Sequence, residues 1–181
     1  MEMMKTSQRP MPGFWFTLMA WEYRARSKPG NIIRELTASG IEPGMHLLDF
    51  GCGPGRYTIP LATLVGAEGS VCAVDVHPLA IRAVRKEAAR QGLTNVRTAL
   101  SDCATGLKPE SIDAILLFDT LHDVEEKEAV LAEMRRVLKP AGRLLYKDHS
   151  LNGSRLFALM REDDWRPCGR SEVLSFVKCW R

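Results

Sequence analysis

A chain of 181 residues, 45% hydrophobic and 26% charged, has the size and composition of one globular domain, long enough to bury a full core and too short for two of ordinary size. Its 25 basic and 22 acidic residues leave a net charge of +3, spread without blocks, which argues against nucleic acid as a partner. No run approaches the ~20 apolar residues of a membrane span and no secretory leader is read, and five cysteines without a C-x-x-C pair indicate neither a disulfide framework nor a zinc knuckle, so reduced thiols in a cytoplasm and no metal site are expected.

In chain order, residues 1–13 lack periodicity and read as a mobile end. Phe14, Trp15, Phe16, Leu18, Met19, Trp21 and Tyr23 then concentrate apolar and aromatic side chains, followed by Arg24, Arg26 and Lys28. The plain expectation is a helix packed over the core or at a homodimer contact; a lid over an apolar acceptor, or peripheral contact with lipid headgroups, are the functional alternatives. This divides the chain into an N-terminal segment, 1–30, and a domain, 31–181.

A helix is predicted over 31–39, with Ile32, Ile33 and Leu36 apolar and Gly40 as its stop. A strand over 45–50 follows, then a loop with glycines at 51, 53 and 55, and a helix to about Val65. Glycines at alternate positions suit a loop pressed against a flat ligand such as a nucleotide. A buried strand is predicted over 70–75, a helix opened by Pro78 with Ile81, Val84 and Ala88 inward, and strands over 95–100 and 112–118. Asp123 and Glu126 suggest a cap for a helix carrying Val130, Leu131, Met134, Val137 and Leu138. Residues 139–142 read as a turn into a strand over 143–147, residues 154–161 as a helix, and 165–169 and 172–180 as two antiparallel strands. Alternating strands and helices make this an α/β protein with a mostly parallel sheet.

The spacing Gly51-x-Gly53-x-Gly55, with Arg56 where the dinucleotide fingerprint has its third glycine and Asp49 two residues upstream, departs from a pyrophosphate site. A carboxylate there suits a ligand bearing an ammonium or sulfonium. The stretch resembles motif I of the class I S-adenosylmethionine-dependent methyltransferases, and the order of later motifs resembles the small quinone-biosynthesis and type 11 members of that group. The resemblance implies a Rossmann-like doubly wound, mostly parallel seven-stranded sheet closed by an antiparallel C-terminal hairpin. It also implies S-adenosylmethionine as cofactor, S-adenosylhomocysteine as product, and in-line methyl transfer to a small-molecule acceptor.

Ligands in such sheets bind beyond the carboxyl ends of the strands. The resemblance therefore implies cofactor contacts at Asp49, Phe50, Gly51, Cys52, Gly53, Gly55 and Tyr57 after the first strand. After the second it implies Asp75, for the ribose, with Val76 and His77; after the third Ser101, Asp102 and Cys103, for the adenine; and after the fourth Phe118. His122 is the candidate general base, since imidazole titrates near neutrality, and Asp119 the candidate orienting group. Strand-end aspartates also serve as ordinary caps, but three on successive strands after a glycine loop favour a site. Phe118-Asp119-Thr120-Leu121 lacks the Pro-Pro-aromatic tetrad of members that methylate nucleobase amino groups. The rival functions are a nicotinamide-dependent oxidoreductase and a non-catalytic S-adenosylmethionine-binding or interaction module.

Overall fold

The structure is a computed structural model, and it describes residues 12–14, 16, 18, 29–149, 160, 165–168 and 173–178. Seven strands form one sheet: β1 His46–Phe50, β2 Ser70–Asp75, β3 Val96–Leu100, β4 Ile112–Phe118, β5 Leu138–Lys147, β6 Trp165–Cys168 and β7 Leu174–Lys178. Their order is β3-β2-β1-β4-β5-β7-β6. β1 to β5 pair with one another in parallel, whereas β7 is antiparallel to both β5 and β6. The Rossmann-like sheet and its closing hairpin are therefore as expected. Strand order reverses between β1 and β4, so the crevice at their carboxyl ends lies at the topological switch point.

Side chains alternate between two apolar layers because successive residues of a strand point to opposite faces. Leu48, Phe50, Ile115, Leu117 and Leu144 pack with Val130, Leu131, Met134 and Val137 of helix α4, Lys127–Val137. Leu47, Leu116 and Leu145 pack with Ile32, Leu36, Leu61, Ala62 and Val65 from α1, Pro29–Ala38, and α2, Thr58–Val65. Helix α3, Pro78–Arg90, sets Ile81 and Val84 on Ala73 and Cys52. Burial on both faces explains the continuous apolar runs of β1, β2 and β4.

Two local expectations fail. Asp123 does not cap α4: its N–H donates to Thr120 O at 3.1 Å within a separate turn, and the helix starts at Lys127 after Glu126, which makes no side-chain cap. Residues 139–142 do not form a turn but belong to β5, which bulges so that Ile112 faces Leu138 while Ala114 already faces Arg143. Lys139 Nζ bonds Asp113 Oδ1 at 2.7 Å across the bulge. A Cβ on Gly142 would lie 2.7 Å from Leu138 and 3.0 Å from Asp113 O, so glycine permits the close approach. Apart from Met160, which is buried in a bend, the helix expected over 154–161 falls outside the described residues, as do residues 1–11 and most of the aromatic segment.

Candidate active site

The glycine loop is fixed by the protein on two sides and open between them. Gly51 and Cys52 donate their N–H groups to Val74 O at 2.8 and 3.0 Å, tying the loop to β2. At Gly51, with φ +77°, a Cβ would lie 2.1 Å from Thr120 Oγ1, so the loops after β1 and β4 touch. At Gly55 a Cβ would meet Val84 of α3 at 3.2 Å. Gly53, with φ +51°, has nothing within 4 Å of its Cβ position, so of the three glycines it is the one turned to open space. Close approach to the protein thus accounts for Gly51 and Gly55, where the sequence suggested a ligand.

Asp75, at the end of β2, accepts from Gly53 N–H through Oδ2 at 2.8 Å and from His77 N–H through Oδ1 at 2.8 Å. Burial raises its pKa, against the pull of these two N–H groups. Ser101 donates its N–H to Asp75 O at 3.0 Å, and its Oγ accepts from Cys103 N–H at 3.3 Å, which places the 101–103 turn beside β2 with Asp102 within it. Glu133 of α4 pins the continuation by accepting from Thr105 N–H and Oγ1 at 2.9 and 2.6 Å. Val76 is half-buried between Asp75 and His77.

His77 caps α3 with its ring: Nδ1 accepts from Leu79 N–H at 3.0 Å. Phe16 stacks on that ring with centroids 4.4 Å apart and planes at 21°, and is itself buried. The aromatic segment therefore reaches the end of β2 through Phe16, while Phe14 and Leu18 are exposed.

Asp49 is not an open carboxylate at the crevice. It is only 3% exposed, with Thr58 Oγ1 donating to its Oδ2 at 2.5 Å. Burial pushes its pKa up to about 6, opposed by the Thr58 hydrogen bond and reinforced by the negative charge of Asp75. Cys52 is buried and its thiol is pushed well above the usual range by burial, then by Asp75 and Asp49, so it packs rather than reacts. Tyr57 and Phe118 meet edge to face at 4.9 Å, while Phe50 is buried in the layer on the other face of the sheet.

At the ends of β4 and β5 two aspartates and two histidines pair crosswise. Asp119, with φ +47°, donates its N–H to Lys147 O at 2.6 Å. Its Oδ1 accepts from His149 N–H at 3.1 Å and lies 2.9 Å from His149 Nδ1. In return Asp148 Oδ2 accepts from His122 N–H at 3.2 Å and lies 3.0 Å from His122 Nδ1, with the Asp148 side chain fully buried. The two rings meet edge to face at 4.9 Å. The hydrogen bond to Asp119 raises the His149 pKa, and burial followed by the Asp148 charge raises that of Tyr146. Asp148 and His149 escaped the sequence reading, although they follow β5 as Asp119 follows β4 and the strand-end rule applies to both.

A family model described as a methyltransferase domain matches residues 41–173. The chain belongs to that family. The methyltransferase is 34% identical over 125 residues to the ubiquinone/menaquinone biosynthesis C-methyltransferase UbiE of Marinomonas sp. (strain MWYL1), covering 68% of this chain and 50% of that protein. It spans about half the length of the curated relatives it matches. Two solved structures share the fold. One, from Methanococcus maripaludis and provisionally described as an S-adenosyl-L-methionine-dependent methyltransferase, aligns with a TM-score of 0.76 at 15% identity over 97% of this chain and 96% of that one. A SAM-dependent methyltransferase from Aquifex aeolicus aligns at 0.69 and 22% identity over 87% and 96%. The class I S-adenosylmethionine-dependent methyltransferase expected from the glycine loop is thus the class found, in place of a nicotinamide enzyme. Among the described residues no helix of the methyltransferase is long and apolar enough to cross a membrane.

Proposed function

We propose that this methyltransferase moves the methyl group of S-adenosylmethionine to a small, largely apolar acceptor entering beside the ends of β4 and β5, with residues 31–181 as the working domain. The observation that carries the reading is Asp75, pinned by the N–H of Gly53, the one of the three loop glycines that faces open space. The cofactor fits there. Each Asp75 oxygen has a second lone pair for a ribose hydroxyl; Val76, His77 and the Ser101-Asp102-Cys103 turn continue the wall on the adenine side. Phe50 to Gly53, Gly55, Tyr57 and Phe118 bound the amino-acid end. Asp49 acts from beneath the loop, its charge attracting a cationic ligand without touching it.

Bound in this crevice, the cofactor supplies an electrophilic methyl on a good leaving group. The protein's part is chiefly alignment, worth about 7–11 kcal/mol in favourable cases. His122 takes the acceptor's proton: Asp148 orients the imidazole through Nδ1, and Nε2, with Asp123 Oδ2 3.4 Å away, acts as the base. Asp119 orients, holding His149 and the turn after β4.

Phe16 on His77 supports the N-terminal segment as a lid, placed over the adenosine side rather than over the acceptor. Exposed Phe14 and Leu18 support a contact with a second copy or with lipid. Among the described residues Cys52, Cys72, Cys103 and Cys168 are free thiols, which accords with a cytoplasmic setting. Relatives named for quinone C-methylation favour an acceptor with an acidic carbon or hydroxyl on an apolar ring.

Isothermal titration of S-adenosylmethionine tests the cofactor site: Asp75→Ala should weaken binding by about 10- to 100-fold, the loss of one or two charge-assisted hydrogen bonds. An unchanged Kd removes Asp75 from the site. A panel of quinols, phenols and amines, read by S-adenosylhomocysteine release, tests turnover; cofactor binding with no release from any acceptor class would favour the non-catalytic module.

A further inference from the structure

We propose that the ends of β4 and β5 bind a divalent transition-metal ion through His122, Asp148 and His149. Each residue offers one donor atom, and the three donors lie within 4.8 Å of one another. Two imidazoles with one carboxylate suit zinc, cobalt or nickel, whereas magnesium and calcium take oxygen donors.

The surroundings favour a cation. Asp119 Oδ1 lies 2.9 Å from His149 Nδ1, and Asp123 Oδ2 lies 3.4 Å from His122 Nε2. Together with Asp148, three carboxylates therefore converge on two imidazoles. Carboxylates bonded to the rings of ligating histidines fix their orientation and strengthen them as ligands. The donors also differ in mobility. Asp148 is fully buried and His122 is 20% exposed, while the His149 side chain is 69% exposed and opens the cluster to solvent. With metal–ligand bonds of about 2.0–2.2 Å, two donors stand at most ~4.4 Å apart, so closure needs only a small rotation of the exposed ring.

The site lies on the acceptor side of the crevice, yet ion binding needs neither cofactor nor acceptor, so it stands or falls separately from the proposed methyl transfer. While an ion occupies His122, that residue cannot accept a proton.

The full chain, stripped with chelator and kept free of S-adenosylmethionine, is titrated with Co2+, followed by its d–d absorption, and with Zn2+ by calorimetry. One ion per chain with a Kd of about 10 µM or tighter is expected. His149→Ala, on the surface, and Asp148→Asn should each weaken binding at least tenfold; His46→Ala, an exposed histidine outside the cluster, should leave it unchanged. Should Asp148→Asn fail to fold by circular dichroism, His149→Ala decides. Absence of cobalt bands, equal affinity in His149→Ala and the unaltered chain, or loss of binding in His46→Ala overturns the proposal.

Discussion

Asp49→Asn separates what the buried carboxylate does for stability from what it does for ligand binding. With the pKa of Asp49 raised from 3.8 to about 6 in the folded protein, the folded state keeps a proton that the unfolded chain has already released over that interval. Stability should therefore fall as pH rises from 3.8 to about 6 and level off above it. At about 1.4 kcal/mol per pH unit the full loss is roughly 3 kcal/mol. Asp49 is 3% exposed, so solvent screening leaves little to discount. Asparagine has the same shape, carries no charge and keeps an oxygen for Thr58 Oγ1. The variant should gain roughly 2–3 kcal/mol at pH 7.5, or about 4–12 °C in Tm for a chain of this size. Calorimetric or circular-dichroism melts from pH 4 to 8 measure this: the downward limb of the unaltered chain should disappear in the variant. S-adenosylmethionine affinity should fall by about tenfold or more as the attraction for its positive charge is lost. Melting profiles that run parallel across the whole range would show an ordinary ionised carboxylate at position 49 and refute the reasoning.

Phe16→Ala removes the ring stacked on His77, an interaction of about 0.5–1.5 kcal/mol, and should raise the Kd for S-adenosylmethionine about 2- to 10-fold; unchanged binding would show that the segment does not cover the cofactor. Gly51→Ala would put a Cβ 2.1 Å from Thr120 Oγ1 at φ +77° and should destabilise by about 2–4 kcal/mol, whereas Gly53→Ala, with open space around it, should cost about 1 kcal/mol and act mainly on cofactor affinity. Glu133 would be raised by burial, but Arg136 and Thr105 hold its pKa down to about 2 from 4.5. Its stabilisation is then present above pH 4.5 and lost as pH falls through about 2. Glu133→Gln should lower Tm near neutrality by about 2–4 °C, the effect of at most ~1 kcal/mol after discounting for solvent, with the difference vanishing in melts near pH 2.

The fold was most legible where burial on both faces leaves only apolar residues: β2 and β4 begin and end where their runs do, and Pro78 and Gly92 mark α3 because one fits the first helical turn and the other the break after it. Composition misled at 139–142, since Lys-Pro-Ala-Gly has the chemistry of a turn and only its pairing with β4 turns it into a bulge. The β1–β3 side of the candidate site was legible for a related reason. Asp49, Gly51 to Gly55, Asp75 and Ser101 to Cys103 each sit at the end of one strand, and the strand ends can be found one at a time. The β4–β5 cluster requires register as well. Phe118 pairs with Lys147, so the next residues, Asp119 and Asp148, are brought side by side as two like charges. Each takes a histidine from the other strand's extension: Asp119 takes His149 and Asp148 takes His122. That crossing follows from the pairing of the strands, because a one-residue slip would turn the side chains of one strand to the opposite face and undo both pairs together.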